Sequence, residues 1–155
     1  GGIAGAMLAG SAEFTENAKV WKRRHGGDLI SLYPYIINAE HCMNKRIGNM
    51  KKYWRHALAA AERLNKLKGV KTVPEMPVCN MFHAYFAATK ENLESIFADI
   101  IEKYDLAIVT NFKEIDGSTC KSELSFGDSF ELIPQEILDK AFDRLESEFI
   151  KLMKK

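Results

Sequence analysis

"VKTVPEMPVCNMFHAYFAA", residues 70–88, is where the texture of the chain changes. β-Branched and aromatic residues replace the charged, alanine-rich run before it, and they partly alternate. Met81, His83 and Tyr85 fall on one side of an extended chain, with Asn80, Phe82 and Phe86 on the other. This reads as one or two strands. Pro74 and Pro77 mark an edge or a break, because proline has no amide to give a ladder. A second extended region follows, in which "LAIVTNFKEI" (106–115) and "CKSELSF" (120–126) flank Asp116-Gly117, a strong hairpin-turn pair.

Helical periodicity surrounds these strands. Over residues 49–68, Met50, Tyr53, Trp54, Ala57, Ala61 and Leu64 share one face. Lys52, Arg55, His56, Arg63 and Lys66 share the opposite one, and Gly69 ends the helix. Thr89 caps a helix whose stripe is Leu93, Ile96, Phe97, Ile100, Ile101 and Tyr104. "SFGDSF" reads as a turn, and Pro134 then opens a last helix with Leu138, Phe142, Leu145, Phe149 and Leu152 on its core side. The expected fold is α+β: a small antiparallel sheet with helices on one face. Phe82, Phe97, Ile100, Phe142 and Phe149 should meet in its core.

Nearer the start, Ser11 can cap a helix that carries Phe14, Ala18 and Trp21. The helix runs out at Arg23, Arg24 and His25, where cations suit the dipole, and Gly26 or Gly27 can take the left-handed cap. That explains the charges and one glycine, not the second. The stretch 28–46 reads as helical on both sides of a distortion at Pro34, and "GGIAGAMLAGS" reads as a buried strand and a turn.

Composition excludes several classes. The chain has 155 residues, enough for a real core, with 46% hydrophobic and 28% charged residues. Lys and Arg number 22 against 21 acidic residues, so no polyanion partner is implied. The odd set Cys42, Cys79 and Cys120 favours reduced thiols in a cytoplasmic setting. No run is long enough to span a membrane. His41-Cys42 and His83 lack a supporting ligand pair, so no metal site is read.

The first thirty residues carry a more specific pattern. "GGIAGAMLAGSAEFTENAKVWKRRHGG" resembles the stretch after the cofactor lysine in the threonine aldolase and β-eliminating lyase family, pyridoxal-phosphate enzymes of the aspartate aminotransferase fold. In that family the lysine is followed by Gly-Leu-Gly, a strand of small residues, a Gly-Ser-type turn and an amphipathic helix ending in a Gly-Gly loop. Gly1, Gly5, Gly10, Trp21, Lys22, Arg23, Gly26 and Gly27 stand at matching places. The rest has the order of that family's C-terminal small domain.

The resemblance implies a C-terminal segment of a pyridoxal-phosphate lyase, most like an aldolase that cleaves β-hydroxy-α-amino acids to glycine and an aldehyde. Residues 1–27 would end the large cofactor-binding domain, and residues 28–155 would form the small domain with its connecting helices. The cofactor lysine would lie about three residues before Gly1, so this chain alone is expected to be inactive. Its expected partners are the N-terminal part of the same enzyme and further copies in a homodimer or homotetramer. The "LISLYPYIIN" run (29–38) would be buried against that part or a partner subunit. In the aldolases the loop after the helix reaches a cofactor phosphate and carries an arginine where Ile30 stands here; Arg24, His25 or Ser31 would substitute, beside Gly26 and Gly27. Lys121 is near the place of the family's substrate-carboxylate arginine. The rival reading is a non-catalytic α+β interaction module derived from that domain.

Overall fold

The computed structural model describes Ala4 and residues 6–154. The chain divides into two compact units, residues 1–48 and 49–155.

In the first unit, α1 spans Ala12–Arg24 and α2 spans Tyr33–Arg46. Ser11 caps α1, its hydroxyl accepting from the Phe14 amide at 3.2 Å. No residue of either helix is buried. Pro34 does not interrupt a helix. Residues 28–32 are irregular, and α2 begins at Tyr33 with Pro34 in its first turn, where a missing amide costs nothing. The buried strand expected at the start is not seen: residues 6–10 take no regular structure and are exposed, while residues 1–3 and 5 of that stretch lie outside the described residues.

The second unit holds α3 (Met50–Asn65), β1 (Val70–Val73), β2 (Met81–Phe86), α4 (Lys90–Tyr104), β3 (Lys113–Asp116), β4 (Thr119–Ser125) and α5 (Gln135–Leu152). The strands form one antiparallel sheet in the order β1-β2-β4-β3. Alternation assigns its two faces. Phe82, Ala84 and Phe86 of β2 and Cys120, Ser122 and Leu124 of β4 point to the core. On the other face Tyr85 pairs with Lys121, and His83 pairs with Glu123.

Phe82, Phe97, Ile100, Phe142 and Phe149 all lie in one buried cluster, as expected, with Leu64, Leu93 and Leu145. Phe86 is its hub: its ring meets Phe97 and Phe112 edge-on, at 6.1 and 5.7 Å, and Phe149 at 6.1 Å. Burying each such side chain contributes about 2–3 kcal/mol. β1 is fixed to α3 by Asn65. Its side-chain Oδ1 accepts from the Thr72 backbone amide at 2.8 Å, and its Nδ2 donates to the Thr72 hydroxyl at 2.7 Å. The segment "SFGDSF" leads into a short 3₁₀ helix, Asp128–Leu132, rather than forming a simple turn. Tyr53 donates to Asp128, and Lys52 and His56 meet Glu131, so this helix is fastened to α3.

Candidate functional site

The end of α1 is built around Trp21. The Arg24 guanidinium lies 5.3 Å from its ring centroid, and the His25 ring stacks on it at 5.8 Å. The chain then reverses. The Gly26 amide donates to the Arg23 carbonyl at 3.2 Å, and the Gly27 amide to the Lys22 carbonyl at 2.8 Å. This pair of bonds is a Schellman closure, with Gly26 in the left-handed conformation at φ 73°. A β-carbon on Gly27 would sit 3.0 Å from Lys22 Cγ and 3.2 Å from its carbonyl oxygen. The second glycine therefore has a local reason: close approach across the closure. Both amides are engaged within the cap. The donors this turn can offer an anion are the side chains of Arg24, His25 and Ser31, all exposed.

Lys121 lies in the second unit, on the sheet face away from the core. It lines an open cavity of about 410 Å³ with His83, Lys90, Asn111 and Lys113. The cavity's acidic side chains have partners already. Glu123 lies 3.5 Å from His83, and Glu94 lies 3.6 Å from Lys90. Lys113 stands directly opposite Lys121 in the β3–β4 ladder. Neither lysine has a carboxylate partner among the described residues. A second cavity, of about 360 Å³, is lined by Leu106, Val109, Thr110, Phe126, Phe130 and Phe142. None of the sequence-predicted site residues lines it.

Titration is shifted at few groups near either region. His56 is pushed below the ordinary imidazole value, by burial first and by the nearby Lys52 charge second. The same ring meets Glu131 through Nε2. Among the described residues no group of three or more His, Cys, Asp and Glu side chains is placed to hold a metal. No described helix is long and apolar enough to cross a membrane.

Two solved structures match this arrangement. One is a candidate L-allo-threonine aldolase from Listeria monocytogenes EGD-E, with 48% identity over 95% of this chain and a TM-score of 0.86. The chain resembles the C-terminal part of the threonine aldolase and β-eliminating lyase family. The other structure, from Exiguobacterium sp. 255-15, is described as a candidate aromatic amino acid β-eliminating lyase/threonine aldolase; it shows 42% identity over 95% of this chain and a TM-score of 0.84. In both cases the chain spans 41% of the lyase's own length and matches its C-terminal part. No protein-family model matches the chain, and comparison with curated proteins gives no match.

The sequence reading names Lys121 as a candidate and does not name Lys113, which lies opposite it in the ladder. The signal was present only in part. A plain two-residue hairpin closed by Asp116 and Thr119 would set Glu114 opposite Lys121. The ladder instead shifts between Glu114 and Asp116, and Lys113 takes that place. Nothing in the residue types announces the shift.

Proposed function

We propose that the chain is the C-terminal part of a pyridoxal-phosphate-dependent lyase that cleaves β-hydroxy-α-amino acids to glycine and an aldehyde. The observation that carries this reading is the fold match at 48% identity across nearly the whole chain. Residues 1–27 end the large domain in this reading, and residues 28–155 form the small domain. The cofactor supplies the electron sink for cleavage next to the α-carbon. The chain supplies binding and orientation.

Arg24 and His25 bring positive or protonatable groups to the turn after α1, and Ser31 brings a hydroxyl; these are the partners for the cofactor phosphate. Gly26 and Gly27 shape the turn that presents them. Lys121 is the cation for the substrate carboxylate, held on a strand whose other face is locked into the core. The reactive lysine and the groups that clamp the cofactor ring lie in the N-terminal part, so the working unit is the complete enzyme in a homodimer or homotetramer.

The test is a visible-absorbance titration with pyridoxal phosphate, on this chain alone and on the complete enzyme. Borohydride trapping and peptide mapping follow. The complete enzyme should give a coloured stoichiometric complex and cleave a hydroxy amino acid. The chain alone should bind no better than an unrelated protein of similar lysine content. One cofactor trapped at one defined lysine within residues 1–155 would refute the placement.

A further inference from the structure

We infer that Lys113 is a second substrate-binding residue, and that with Lys121 it forms a two-lysine seat for one carboxylate. This deepens the reading of Lys121 above and rests on it.

The argument begins with the ladder. Like charges directly opposite each other on adjacent strands destabilise a sheet, while opposite charges stabilise it. The hairpin had the favourable pair available, because unbroken register puts Glu114 against Lys121. A one-residue shift between Glu114 and Asp116 removes that pair and sets Lys113 against Lys121 instead. Bulges next to binding sites commonly re-aim a side chain in this way. The repulsion is not relieved locally. Glu123 and Glu94 line the same cavity but face His83 and Lys90, and neither approaches Lys113 or Lys121 as an ion-pair partner.

The site therefore holds two cations side by side, with an open cavity in front of them. An anion placed between them would convert a repulsion into two charge-assisted contacts. A single lysine gives a carboxylate one point charge and no fork. Two lysines from neighbouring strands give each carboxylate oxygen its own donor, which a single arginine does with its guanidinium.

The experiment uses the complete enzyme and compares glycine with glycinamide, which keeps the amine and lacks the carboxylate. Affinities come from the change in cofactor absorbance on titration. Wild type should prefer glycine. Lys113→Met and Lys121→Met should each cut that preference about tenfold, the size of one charge-assisted contact. The double variant should lose less than the product of the two, because both act on one group. Lys113→Arg should retain most of the preference, which separates loss of charge from damage to the strand. Wild-type preference in Lys113→Met, with preference lost in Lys121→Met, would overturn this inference and leave Lys121 in place. Preference unchanged in both variants would overturn the reading of Lys121 as well.

Discussion

At Gly26 a single backbone angle decides what the residue can be. Its φ of 73° lies in the left-handed region, where an L side chain crowds the following carbonyl. Gly26→Val in the complete enzyme should cost about 1–2 kcal/mol, read from denaturant midpoints, and Gly26→Asn should cost less. Cofactor affinity measured on the same proteins adds the functional half. A loss larger than the stability loss supports a phosphate contact at this turn; an unchanged affinity makes the turn a helix stop and no more. The run of cations and the pair of glycines were legible as a cap from residue types alone. Why both positions are glycine was not, because the contact of Gly27 with Lys22 exists only once the chain has reversed. Asn65 was equally hidden. Its amide is spent on Thr72, a buried residue seven positions away on another element, and periodicity carries no trace of that.

Helices α4 and α5 show what the ion pairs between elements add to the apolar stripes. Asp99 on α4 accepts from Lys103 at 2.6 Å and from Arg144 of α5 at 2.9 Å. The Lys103 hydrogen bond first, and the Arg144 bond next, hold its carboxyl below the usual aspartate value. A carboxylate with a lowered folded value binds fewer protons folded than unfolded. Its stabilisation is complete above the ordinary value of about 4 and fades as pH falls through the lowered one. Asp99→Asn should therefore lower the thermal midpoint at neutral pH, and the gap from wild type should close toward pH 2. A gap that stays constant with pH would locate the effect in packing instead. These two helices, with their Thr89 cap and Pro134 start, were legible because a buried stripe must recur at the helical period. The hairpin was half legible. Asp116 and Gly117 marked the reversal, but the turn residues are Gly117 and Ser118, with Asp116 paired to Thr119 and accepting from the Ser118 amide at 2.8 Å. β3 is also shorter than expected. Leu106 and Val109 are apolar because they are buried in irregular chain, not because they belong to a strand. Apolar identity reports burial, and only alternation reports a strand.

Among the described residues the buried hydrophobic cluster of the second unit runs from Ala57 to Phe149. Residues 49–155 should then fold without the first unit. A chain beginning at Asn49 should unfold cooperatively, with its denaturant midpoint near that of the same transition in the longer chain. A broad, non-cooperative transition would show that the first unit is needed. In that first unit Trp21, Ile30, Ile36 and Ile37 are all more than half exposed. A run of this kind calls for a partner surface, and in the proposed reading the N-terminal part of the enzyme is the candidate. One consequence concerns recombination. The two solved structures differ from this chain at roughly half of the aligned positions, and neighbours in a close-packed core are energetically coupled. A crossover at Gly48/Asn49 transplants the whole cluster as one inheritance. A crossover inside α4 pairs Leu93 and Phe97 with foreign neighbours. Libraries of chimaeras spliced at the first point should keep far more folded members than those spliced at the second.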